Sequence, residues 1–146
     1  MKKVDAISIS ARAAREIARA ALTAYPRECC GLALGRGRDL AVVKTVELVN
    51  RLEGADAERG FAIDPLEIWD FEKKLAKQGL EIVGTYHSHP DQPAILSARD
   101  EESMPPGLAY LIVSVAREQI ADARCFMKTD PNDSPVELRV ELGTKQ

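Results

Sequence analysis

His87-Ser88-His89, then Pro90 to Leu96, then Ser97-x-x-Asp100 set two imidazoles, a hydroxyl and a carboxylate in one short stretch. On a strand, residues i and i+2 point to one face about 6.5 Å apart. His87 and His89 can therefore share one metal ion while Ser88 faces the other way, and Pro90 ends the strand. These are the chain's 2 histidines. Ser97 stands where a helix N-cap would, which puts Asp100 at the third helical position. That pair also reads as a capping-box variant that needs no metal. Yet a first helical turn is a rigid mount for a metal carboxylate. Two imidazoles and one carboxylate leave a fourth tetrahedral position for water, which separates an open catalytic zinc site from a closed structural one. Cys29, Cys30 and Cys125 lack the CxxC spacing of a structural site. Far upstream, Glu28 precedes Cys29-Cys30-Gly31. Alone, a glutamate at the end of an apolar strand is a solvated surface residue. Beside the downstream set it is a candidate remote general base for a metal-dependent hydrolase.

The elements that must position these residues follow from periodicity and caps. Residues 4–9 read as a short strand. Ser10 caps a helix with the stripe Ala14, Ile17, Ala18, Ala21 and Tyr25, and Pro26 ends it. Cys29 to Leu34 and Leu40 to Val49 read as a strand hairpin around a turn at Gly35-Arg36-Gly37-Arg38. Arg51 to Gly60 is a polar loop. Asp64-Pro65-Leu66-Glu67 starts a second helix whose inner face is Ile68, Phe71 and Leu75, with Trp69 also expected in the core and Gly79 as its stop. Glu81 to Ser88 is a strand running into the histidine motif. Ser97 opens a short helix stopped by Pro105-Pro106. Ala109 to Val115, Ile120 to Met127 and Val136 to Leu142 complete the strands. The order is β-α-β-β-α-β-α-β-β-β, a mixed α/β sandwich, with no Gly-rich phosphate loop, repeat or linker.

Composition bounds the rest. The chain has 146 residues, 45% hydrophobic and 29% charged, which fits one domain, residues 1–146, with its own core. The net charge of −3 and the absence of a Lys/Arg run argue against a nucleic-acid surface. No apolar stretch approaches a membrane span, and the N-terminal Met-Lys-Lys-Val-Asp lacks the core of a signal peptide. The expected location is the cytoplasm. The odd count of 3 cysteines, two of them adjacent, agrees with reduced thiols. Cys29 and Cys30 read as small core residues rather than nucleophiles. If the strand begins at Glu28, Glu28 and Cys30 share a face.

The motif from His87 to Asp100 resembles the signature of the JAMM metalloproteases, the catalytic branch of the MPN-domain proteins. Pro26-Arg27-Glu28-Cys29-Cys30-Gly31-Leu32-Ala33-Leu34-Gly35 resembles the glutamate strand of the compact prokaryotic branch. The resemblance implies an α/β fold, a single MPN-like domain with a mixed β-sheet sandwiched by helices, a cytidine-deaminase-like architecture. It also implies roles. His87, His89 and Asp100 match the Zn2+ ligands, Glu28 the general base, and Ser97 the donor to the tetrahedral oxyanion. The implied activity is zinc-dependent cleavage of the peptide or isopeptide bond after the C-terminal Gly-Gly tail of a small ubiquitin-like or sulfur-carrier protein. The chain lacks the long insertions of specialised deubiquitinases. Arg51 to Gly60 and Asp91 to Leu96 are candidates for the tail groove and its rim.

Two other readings stand beside this one. A non-catalytic MPN-type scaffold subunit is the alternative, although that class commonly lacks part of the metal set retained here. A cysteine-dependent enzyme using Cys29 or Cys30 would need a nearby base, which the spacing does not supply. The sequence leaves the carrier, the released group and the oligomeric state open.

Overall fold

The computed structural model describes residues 4–36 and 40–144. Seven strands and three helices follow the expected order: β1 (Ala6–Ser10), α1 (Ala11–Ala24), β2 (Cys30–Arg36), β3 (Ala41–Leu48), α2 (Pro65–Lys77), β4 (Glu81–Pro90), α3 (Ala98–Ser103), β5 (Ala109–Ala116), β6 (Gln119–Met127) and β7 (Val136–Thr144). The expected turn falls partly outside the described residues, at Gly37 and Arg38, while Gly35 and Arg36 extend β2.

The sheet is mixed and closes on itself in the order β1-β3-β2-β4-β5-β6-β7. β1 pairs in parallel with both β3 and β7, which joins the two ends of the sheet. β4 and β5 are also parallel, His87 lying opposite Ile112, and α3 sits in the crossover between them. The other pairs are antiparallel. Gly84 permits the close approach of β4 to β5, since a Cβ there would lie 2.5 Å from the Ala109 carbonyl oxygen. β5 is apolar almost throughout and buried along nearly its whole length, as a strand covered on both faces should be.

Helices cover the sheet from both sides. α1 packs Ala13, Ile17 and Ala21 against Ile7, Val42, Leu111 and Val113. Its N-cap is the expected Ser10, whose hydroxyl accepts the Ala13 N–H at 3.0 Å. α2 lays Ile68, Phe71 and Leu75 over Cys30, Leu32 and Leu34. Asp64 caps it through Leu66 N at 3.0 Å, and Gly79 stops it at φ 70°. A third cluster of Ala94, Met104, Tyr110, Ile112 and Phe126 lies beneath the segment that carries α3. Alternation along the strands feeds these layers: Leu111 and Val113 face α1, while Tyr110 and Ile112 face the third cluster.

Trp69 is a correction to the expected core. It is 55% exposed, and the Lys73 ammonium lies 3.5 Å from its ring centroid. The inner face of α2 is filled by Ile68, Phe71 and Leu75, and one residue beyond Ile68 turns about 100° away from it. The loop read as polar between Arg51 and Gly60 carries a turn of 3-10 helix at Gly54–Glu58, with Ala57 buried. Among the described residues, no helix is long and apolar enough to cross a membrane.

Candidate metal centre

β4 delivers His87 and His89 to its C-terminal end, and α3 brings Asp100 to meet them. The two Nε2 atoms are 3.1 Å apart. Asp100 Oδ1 lies 3.2 Å from His87 Nε2, and Oδ2 lies 3.2 Å from His89 Nε2. A tetrahedral zinc with bonds near 2.05 Å separates its donor atoms by roughly 3.3 Å. The three residues, all buried and with ligand atoms within 4.8 Å of one another, therefore fit one small divalent ion.

The orientation of the imidazoles also fits. His89 Nδ1 lies 3.0 Å from the Pro93 carbonyl oxygen. A carbonyl can only accept, so Nδ1 holds the proton and Nε2 presents its lone pair to the centre. His87 is fully buried between the Phe61 ring, at 4.6 Å between centroids, and the Tyr110 ring, at 5.0 Å. Burial lowers the His87 pKa and keeps it neutral, the form that ligates. Burial works against a charged His89, but the hydrogen bonds to Asp100 and to the Pro93 carbonyl, with the charges of Asp100 and Glu28, together outweigh it and the pKa rises. Asp100 is held well below the carboxylate range, because its bonds to both imidazoles and to Ser97 N–H overcome its burial.

Ser97 and Asp100 form a capping box: Ser97 N–H donates to Asp100 Oδ2 and Asp100 N–H donates to Ser97 Oγ, each at 3.0 Å. The expected capping box is therefore present. The cap fixes the carboxylate, and Ser97, exposed, lines the cavity.

Glu28 joins these groups from the far side of the sequence. It is 6% exposed, and its Oε1 is buried without a hydrogen-bond partner. Burial pushes its carboxyl up to about 7. The backbone there is pinned on both sides: Glu28 N–H donates to Ala57 O at 2.7 Å, and Glu28 O accepts Asn50 Nδ2 at 3.0 Å. Glu28, His89, Ser97, Asp100 and Tyr110 line one cavity of about 880 Å³. Its walls come from two loops, including Arg59 and Gly60 on one side and Asp91 to Pro93 on the other. The two segments expected to frame a groove do converge there.

The cysteines do not join the cavity. β2 begins at Cys30 rather than at Glu28, and Cys29 and Cys30 enter different core clusters. Burial pushes their thiols up to about 11 and about 12, which suppresses the thiolate a nucleophile requires.

Three contributors escaped the sequence reading. Tyr110, 2% exposed, donates its hydroxyl to Asp100 Oδ1 at 3.1 Å. Phe61 stacks on His87, and Asn50 ties Glu28 to the loop through four hydrogen bonds. The available signal for Tyr110 was a hydroxyl inside an apolar strand, which must find a buried partner. Nothing local marks Phe61 or Asn50.

Comparison with known proteins agrees with the geometry. Residues 10–128 match the family described as prokaryotic homologs of the JAB domain. A desampylase of Haloferax volcanii is 33% identical over 90 residues, 61% of this chain and 63% of that protein. The matched segment spans 63% of that relative's length and 50% of a second curated relative's. The solution structure of a protein from Desulfitobacterium hafniense superposes with a TM-score of 0.81 at 29% identity, covering 95% of this chain and 94% of that one. A JAB1/MPN domain protein from Archaeoglobus fulgidus shares the fold at a TM-score of 0.55 and 21% identity, covering 92% and 97% of the two chains. With Ser10 to Lys128 inside one family model and the MPN fold shared, the chain belongs to the prokaryotic homologs of the JAB domain, the compact prokaryotic branch of the JAMM/MPN family.

Proposed function

We propose that the chain is a zinc-dependent hydrolase, acting in the cytoplasm as a single domain over residues 1–146. It cleaves the peptide or isopeptide bond after the C-terminal Gly-Gly tail of a small ubiquitin-like, sulfur-carrier type protein. The observation that supports this reading is the cluster of His87, His89 and Asp100, of which His89 and Asp100 line one cavity with Glu28 and Ser97. The similarity to a desampylase supports a ubiquitin-like protein as the substrate.

The residues divide the work. His87, His89 and Asp100 would hold the ion. Zinc bound there supplies a Lewis acid and a water activated near neutral pH. Glu28, with its carboxyl near 7, takes a proton from the attacking water and returns it to the departing amine. The Ser97 hydroxyl donates to the scissile carbonyl oxygen as it gains charge. An extended tail fits between the two loops, and glycine at the scissile position has no Cβ to clash with the walls.

The test is an intact-mass assay on a carrier extended by one amino acid or joined to a lysine. Loss of the added group, abolished by chelator and restored by zinc, is the expected result. Equal cleavage of unrelated unstructured peptides would identify a general peptidase instead.

A further inference from the structure

We propose that Tyr110 is a positioning residue that sets the metal affinity of this centre by clamping the Asp100 carboxylate; the proposal rests on the zinc reading above. Tyr110 is not part of the motif between His87 and Asp100. It stands at the start of β5, opposite Thr85 of β4, so its ring reaches under α3. Its hydroxyl meets Asp100 Oδ1 at 3.1 Å, while Ser97 N–H holds Oδ2 at 3.0 Å. Both carboxylate oxygens thus carry a protein donor, and the group cannot rotate about its Cβ–Cγ bond without breaking one of them. That rotation matters because each imidazole faces a different oxygen, His87 facing Oδ1 and His89 facing Oδ2, both at 3.2 Å. The Ser97 donor is a backbone N–H, which every substitution but proline leaves in place. The Tyr110 hydroxyl is the adjustable half of the clamp.

The same ring also buttresses a second ligand, packing edge-on against His87 with centroids 5.0 Å apart. Tyr110→Phe keeps that contact and the fill of the cluster with Ile112 and Phe126. It deletes the one bond to Asp100. Groups that hydrogen-bond a metal ligand contribute about 10- to 100-fold in affinity.

The experiment is a competition titration of metal-free protein with zinc against a chromophoric chelator, comparing wild type, Tyr110→Phe and His89→Ala. Wild type should bind one zinc, His89→Ala should lose most binding, and Tyr110→Phe should bind one zinc about 10- to 100-fold more weakly. The visible spectrum of the Co(II)-loaded protein should change in Tyr110→Phe, reporting altered ligand geometry where a purely structural role would leave it as in wild type. Wild-type affinity and an unchanged Co(II) spectrum in Tyr110→Phe overturn the proposal while leaving the zinc reading intact. A wild-type protein that takes up no zinc overturns the zinc reading and this proposal with it. Should Tyr110→Phe fold only with metal, the zinc concentration that restores folding gives the same comparison. Failure to fold at any zinc concentration would assign the hydroxyl to the core and overturn the proposal.

Discussion

The Ser88 hydroxyl accepts the Cys29 backbone N–H at 2.8 Å, and the Ser88 N–H donates to the Cys29 carbonyl at 3.1 Å. This reciprocal pair continues the pairing of β2 with β4 beyond the register of Cys30 with His87. It sits fully buried between the two halves of the centre: Glu28 precedes Cys29, and His87 and His89 flank Ser88. Ser88, whose side chain lies on the strand face opposite His87 and His89, thereby ties their strand to the residue that follows Glu28.

Ser88→Ala should leave the buried Cys29 N–H unpaired, at a cost of about 1–3 kcal/mol in stability. Zinc affinity should hold, since both imidazoles keep their own contacts. Turnover should fall by about tenfold or more as Glu28 loses its placement. Denaturant unfolding, zinc titration and the carrier assay separate these effects; unaltered turnover would show that the pair serves stability alone.

Glu28→Gln keeps the shape of the side chain and removes its proton acceptor. Turnover should drop by roughly two to four orders of magnitude with zinc content unchanged. Normal turnover in this variant would move the general base elsewhere.

The same substitution should change how stability depends on pH. In the metal-free protein the Glu28 pKa is raised from 4.5 to about 7. Between those values the native state keeps a proton that the unfolded chain has released. Stability contributed by this group is therefore full below 4.5 and is lost as pH rises through about 7. The loss is at most about 3 kcal/mol. Chelator-treated wild type should be less stable at pH 8 than at pH 5 by that increment relative to Glu28→Gln. Parallel pH profiles for the two proteins would show that Glu28 ionises as it does in the unfolded chain.

Zinc uptake should weaken in acid. Against its burial, the hydrogen bonds to Asp100 and the Pro93 carbonyl and the charges of Asp100 and Glu28 together raise the His89 pKa from 6.5, so in acid a proton competes for the ligand atom. His87, held below 6.5, does not compete in the same range. Apparent affinity should fall by about tenfold per pH unit on the acid side, one proton exchanged per zinc. A pH-independent affinity measured from pH 5 to 8 would contradict ligation by His89.

Ser97→Ala should separate two duties of one hydroxyl. Loss of the cap to Asp100 N–H should cost about 1 kcal/mol. Loss of the donor to the scissile carbonyl should cut turnover by about 10²–10³. Reduced stability with full turnover would leave Ser97 as a cap alone.

Local signals in the sequence determined the element order and which chemistry-bearing side chains share a face. Ser10, Asp64 and Ser97 are side-chain caps that act within a few residues, and each caps a helix as its position implies. The two-residue spacing of His87 and His89 puts both imidazoles on one face, because a strand alternates its faces. Tertiary structure decided what no local period encodes. Cys29 and Ser88 lie 59 positions apart in the chain, and only the pairing of β2 with β4 brings Glu28 to the histidines. Periodicity tells which way a side chain points from its own element, but not which element it meets. That is why Tyr110 read as one more residue of an apolar strand until α3 placed Asp100 against its hydroxyl. It is also why Trp69, apolar by composition, stayed in solvent once Ile68, Phe71 and Leu75 had filled the face of α2. The parallel pairing of β1 with β7 that closes the sheet is of the same kind, since it joins strands from opposite ends of the chain and leaves no mark in either one.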